Sequence, residues 1–107
     1  MSNYQNDDLL ALSLTFQALA NPNRLQLLMQ IIDANRHGAR DMSGCCIGEL
    51  GQEMDIAPST LSHHIKELQR AGLVITERHG RHIHCRFNAE THTQLLNFLA
   101  GLQPSHA

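Results

Sequence analysis

Residues 49–74 read ELGQEMDIAPSTLSHHIKELQRAGLV, and this run decides the fold. Its second half opens with Pro58-Ser59-Thr60 and stops at Ala71-Gly72, a proline at a helix start and a glycine just past a helix end. Leu61, Ile65 and Leu68 recur at i, i+4 and i+7, so they share one side and face a core. The opposite side is centred on His63, flanked by Ser59, Lys66 and Arg70, with Ser62 and Thr60 further round. A shorter helix from about Cys46 to Met54 precedes it, across the turn Asp55-Ile56-Ala57. Two helices joined by so short a turn have helix-turn-helix geometry, in which the second helix enters the major groove. Short hydroxyls, an imidazole and cations suit base edges and phosphates. The competing reading is an ordinary amphipathic helix with a solvated polar face.

The sequence that follows favours DNA. LVITER (73–78) and HIHCRF (82–87) flank the turn His79-Gly80-Arg81 and read as a hairpin. Arg78 and Arg81 then lie at its tip, placed for a second phosphate contact. The net charge is only −2, but residues 58–87 carry five bases (Lys66, Arg70, Arg78, Arg81, Arg86) against Glu67 and Glu77. Seven of the ten acids fall before residue 58. A phosphate-binding face needs local positive potential, not a positive total.

Upstream, Leu9, Leu12, Phe16 and Leu19 fall at helical spacing, widened by Leu10 and Leu14. Asn21-Pro22 then reads as a helix N-cap followed by proline at the first position. Leu25, Leu28, Met29 and Ile32 are expected on that second helix's inner face. Residues 34–44 read as a loop ending in a short strand near Met42. Downstream of the hairpin, a last helix from about Ala89 to Leu102 carries Leu95, Leu96, Phe98, Leu99 and Leu102. The expected fold is mainly α with a small β-hairpin: one winged helix-turn-helix domain over 1–107. Its helix-turn-helix spans about 46–71, its wing about 73–87 and its outer helices about 7–19 and 89–102. A core this small does not bury both outer helices, so a second copy of the chain is expected to cover them.

No stretch reaches the roughly 18 apolar residues of a membrane span. The opening MSNYQNDD is too polar for a secretory signal, and a cytoplasmic protein is expected. Three cysteines, an odd number, argue against a disulfide framework. No paired carboxylates, nucleophile triad or phosphate loop stands at usable spacing, so an enzyme is not expected.

LANPNRLQLL (19–28), the run 49–74 and ERHGRHIHCRF (77–87) together resemble the ArsR/SmtB family of winged-helix repressors. The Ser-x-x-Ser-x-His core, here Ser59, Ser62 and His64, followed by Ala-Gly-Leu, carries most of that resemblance. It implies a homodimer through the first and last helices, a double-stranded operator as partner, and release when an inducer binds. A winged-helix protein-interaction module, or a family member with no metal site, remains the alternative. His64 lies at the edge of the apolar face and is expected to be half-buried and hydrogen-bonded within the domain. His63 points outward toward DNA.

Arsenite sensors of the family carry Cys-Val-Cys at the start of the third helix. Here Cys46 matches, while Gly48 replaces the second thiol. If the strand before that helix pairs with residues 83–86, then Cys45, Cys46 and Cys85 become a candidate three-thiol site for arsenite or antimonite. A thiol-oxidation switch is the other cysteine reading. Against both, alternation puts Ile83, Cys85 and Phe87 on the inner face and His82, His84 and Arg86 outside. The family's zinc-type site on the last helix is half present: Glu90-x-His92 resembles its first pair, and Leu102-Gln103 stand where its second is expected. His82 and His84 share a strand face and form a further candidate metal pair.

Overall fold

The computed structural model describes residues 6–37 and 45–102. Its elements are α1 (Asn6–Leu19), α2 (Pro22–His37), β1 (Cys45–Cys46), α3 (Ile47–Met54), α4 (Pro58–Arg70), β2 (Val74–His79), β3 (His82–Phe87) and α5 (Ala89–Gly101). The strands form one antiparallel sheet in the order β1-β3-β2. This is the winged helix-turn-helix order expected from sequence. A short strand is described at Cys45–Cys46, while Met42, near which one is expected, lies outside the described residues.

Local chemistry sets the boundaries. Asn21 Oδ1 accepts from the backbone N–H groups of Asn23 and Arg24, at 2.9 and 3.1 Å, and caps α2. α4 ends in a Schellman motif: the N–H of Leu73 donates to Leu68 O at 2.9 Å and that of Gly72 to Gln69 O at 3.0 Å. Gly72 takes the left-handed φ of 77° this requires. α3 ends the same way, through Ile56 N–H to Gly51 O and Asp55 N–H to Gln52 O, but with Asp55 at φ 54° in the place glycine usually holds. The α3 ending holds the turn into α4 short, and the α4 ending does the same for the turn into β2. Gly80, at φ 65°, opens the two-residue turn of the wing, which follows the II′ preference for glycine first.

The core joins Leu27, Leu28 and Ile31 of α2 to Leu50, Leu61, Ile65, Leu68, Leu73, Val74 and Cys85. Two expectations, for α2 and β3, need correction. On α2 the inner face is Leu27-Leu28-Ile31, while Leu25 and Met29 are exposed. On α1 the residues facing the core are Thr15 and Ala18, and Leu9 and Phe16 stay outside, in keeping with a core too small for both outer helices. On β3, Cys85 is fully buried and Phe87 partly so, but Ile83 is exposed, because β3 has run past the core toward the wing tip. Among the described residues no helix is long and apolar enough to cross a membrane.

Candidate nucleic-acid interface

α4 has two unlike sides. Leu61, Ile65 and Leu68 are sealed in the core together with His64, while Ser59, Thr60, Ser62, His63, Lys66 and Arg70 are exposed. Arg78 and Arg81 are exposed at the end of the wing. Ion pairing then sorts the cations. Arg70 pairs with Glu67 at 3.2 Å, and Arg86 with Glu77 at 3.4 Å. Lys66, Arg78 and Arg81 make no ion pair among the described residues, so the two acids of this region cancel cations other than these three.

Packing behind α4 fixes its attitude, and most of it escaped the sequence reading. Gly51 of α3 is buried against Leu61: a Cβ there would come within 2.6 Å of Leu61 Cδ2, so glycine lets the two helices cross closely. The carbonyls closing α4 are anchored from both outer helices. Thr15 Oγ1 of α1 donates to Ala71 O at 3.1 Å, and Asn88 Nδ2 donates to Gly72 O at 3.0 Å. Thr91 Oγ1 of α5 also donates to Gly72 O. Asn35 ties α2 to β3 by accepting from Phe87 N–H at 2.9 Å. A threonine or asparagine in a helical run carries no sequence signal for such a tie; only Asn88, as an N-cap, was open to recognition.

His64 departs from expectation. It is 7% exposed, and its Nδ1 has no hydrogen-bond partner among the described residues. Burial, then the positive charge of Arg24, then His63 hold its pKa below the ordinary imidazole range. It is a neutral core residue beside the exposed His63, 5.8 Å away between ring centroids.

Cys46 and Cys85 separate. Pairing sets Cys45 opposite Cys85 and Cys46 opposite His84, so Cys46 and Cys85 belong to opposite faces of the sheet. Cys85 has no exposure, whereas Cys46 is half-buried, with its Sγ 3.9 Å from His82 Nδ1. The Cys45 side chain lies outside the described residues. The expected convergence of three thiols meets this parity as an obstacle. Among the described residues no three His, Cys, Asp or Glu side chains stand together as a ready metal site, and this includes Glu90 and His92.

A short turn between α3 and α4, a polar and cationic outer face on α4, and a cationic wing define a winged helix-turn-helix DNA-binding domain. A helix-turn-helix domain family matches residues 19–77, more than half of the chain. YbzH of Bacillus subtilis (strain 168), an HTH-type transcriptional regulator, is 33% identical over 90 residues, covering 78% of this chain and 90% of its own. A crystal structure of an ArsR family transcriptional regulator superposes with a TM-score of 0.70 at 28% identity, over 94% of this chain and 91% of that one. A homodimeric winged helix-turn-helix DNA-binding domain from Mycobacterium bovis shares the fold, with a TM-score of 0.66 at 20% identity over 100% and 98% of the two chains. The chain belongs to the ArsR family of winged helix-turn-helix transcriptional regulators, which are DNA-binding proteins and not enzymes.

Proposed function

We propose that the chain is a cytoplasmic repressor that binds a two-fold operator as a homodimer, reading base edges with Ser59, Thr60, Ser62 and His63 of α4. Lys66 and Arg70 on α4, and Arg78 and Arg81 on the wing, hold flanking phosphates. The observation that carries this reading is the sorting of charge: Glu67 and Glu77 neutralise Arg70 and Arg86, and leave Lys66, Arg78 and Arg81 unpaired on the exposed side. Arg70 is 72% exposed and exchanges its weak surface pair for a phosphate at little cost. An inducer that attacks thiols has Cys46 within reach at the entry to α3, while Cys85 is enclosed in the core.

The test is binding to DNA from upstream of its own coding region, measured across a salt series. Each phosphate contact removed flattens the log–log salt slope by about 0.9. The Lys66→Ala, Arg81→Ala double variant should bind all sequences more weakly, with a slope lower by about 3.6, because each of the two protomers loses two contacts. Ser62→Ala or His63→Ala should instead change which base pairs are preferred, by about 1–3 kcal/mol per pair. A double variant that binds as tightly as the parent would overturn the assignment of this face.

A further inference from the structure

The outer face of the three-stranded sheet collects donors for which DNA binding has no use. Cys46 is paired with His84, and His82 lies two residues along the same strand and therefore on the same side. Glu77 pairs with His84 and His79 with His82, which adds a carboxylate and a third imidazole to this side. Cys46 Sγ and His82 Nδ1 are 3.9 Å apart. A zinc ion held by a thiolate at about 2.3 Å and an imidazole nitrogen at about 2.0–2.1 Å sets its two donors about 3.6 Å apart at a tetrahedral angle and about 4.4 Å apart in line. The observed spacing falls between these limits, so it suits two ligands of one ion. They span 36 residues of sequence, and the register of β1 on β3 is what joins them.

We propose that Cys46 Sγ, His82 Nδ1 and the imidazole of His84 form a binding site for a borderline-soft divalent cation of the zinc class, with water as the fourth ligand. One thiolate and two imidazoles match that class; calcium and magnesium would demand oxygen donors. Two donors are already in place. His84 is the third: it stands opposite Cys46 in the register, and its ring, now 4.7 Å from that of His79, would have to leave its present interactions to reach the ion. Glu77, 4.0 Å from His79 and paired with His84, is the nearby carboxylate available to orient an imidazole. Binding displaces the Cys46 thiol proton to solvent, so apparent affinity rises with pH. The ion would join the residue that precedes α3 to the wing strand, and so tie together the two elements that the DNA reading uses.

The experiment needs no DNA, so its outcome stands apart from that of the operator reading. Cobalt(II) is titrated into the full chain and followed by absorbance, and zinc(II) is measured by competition with a chromophoric chelator. One cobalt per chain should give a thiolate-to-metal charge-transfer band together with the visible bands of tetrahedral cobalt. Cys46→Ser should abolish the charge-transfer band, and Cys46→Ser and His82→Ala should each weaken zinc at least tenfold. His84→Ala should weaken zinc while keeping the band. Cys85→Ala and Cys45→Ser should change neither. Circular dichroism confirms that the surface variants are folded. Absence of a charge-transfer band in the parent, its persistence in Cys46→Ser, or its loss in Cys45→Ser would each overturn the site.

Discussion

His64 sits on the buried side of α4, beside Leu61, Ile65 and Leu68. Its place at the edge of the α4 stripe suggests a half-buried, hydrogen-bonded imidazole, but the helix sits deeper and leaves Nδ1 buried without a partner among the described residues. A neutral unpartnered nitrogen costs on the order of 1–3 kcal/mol, and a charged one costs more. The folded pKa is therefore held below the unfolded value of about 6.5. Between those two values the unfolded chain binds more protons than the folded one, so stability falls as pH drops through this window and is level above it. Thermal melts from pH 7.5 to 5 should show this loss, and His64→Gln should show less of it. An unchanged slope in the variant would mean that another group carries the acid sensitivity. Other residues were legible because their signals are local: Asn21 and Gly72 behave as their N-cap and C-terminal positions require. Asp55 was read only as a turn residue, since its left-handed φ is imposed by the Schellman ending and not by its own chemistry.

At the scale of elements, periodicity worked where a helix has one apolar face and failed where it has more. α4 is apolar on one side only, and Leu61, Ile65 and Leu68 are buried as their spacing demands. α2 is apolar nearly all round between Leu25 and Ile32, so its pattern is satisfied by two phases. The structure selects the one that places Leu27 and Ile31 at zero exposure. The ties at the C-terminal end of α4 were not legible, because they run between residues 56 and 16 positions apart. Asn88 tests them. It caps α5 by accepting from Glu90 N–H at 3.1 Å and also donates to Gly72 O at 3.0 Å. Asn88→Ala should cost about 1–2 kcal/mol for the cap, and about 1 kcal/mol more for the second bond. Asn88→Asp keeps the acceptor and loses the donor, so it should recover most of the cap in chemical denaturation. Equal losses in both variants would show that the cap contributes little.

The single chain is incomplete as a folded body. Its radius of gyration is 15.5 Å, against about 13 Å expected of a compact chain this long. Leu9, Leu10, Leu14 and Phe16 of α1, Leu96 and Leu99 of α5, and Leu102 at its C-cap are all at least 40% exposed. Phe16 and Phe98 meet across the two helices, with ring centroids 5.7 Å apart, so these residues belong to one apolar surface and not to two. Full burial of each such side chain is worth about 1.5–3 kcal/mol, and that surplus is what a second copy would recover. The same helices hold the end of α4 through Thr15 and Thr91, so pairing them would also set the separation of two recognition helices. Successive half-sites on one side of the duplex lie about 34 Å apart, which two independent monomers cannot enforce. Leu99→Asp addresses both points. Leu99 is 54% exposed in the single chain, so aspartate there leaves the monomer core intact, but it buries an uncompensated charge when two chains meet. Sedimentation at micromolar concentration should find the parent as a dimer and the variant as a monomer, with helical circular dichroism retained. Operator affinity should fall with it, because one half-site is then held at a time. A monomeric parent would sink the dimer, and a monomeric variant with undiminished operator affinity would show that the two half-sites are bound independently.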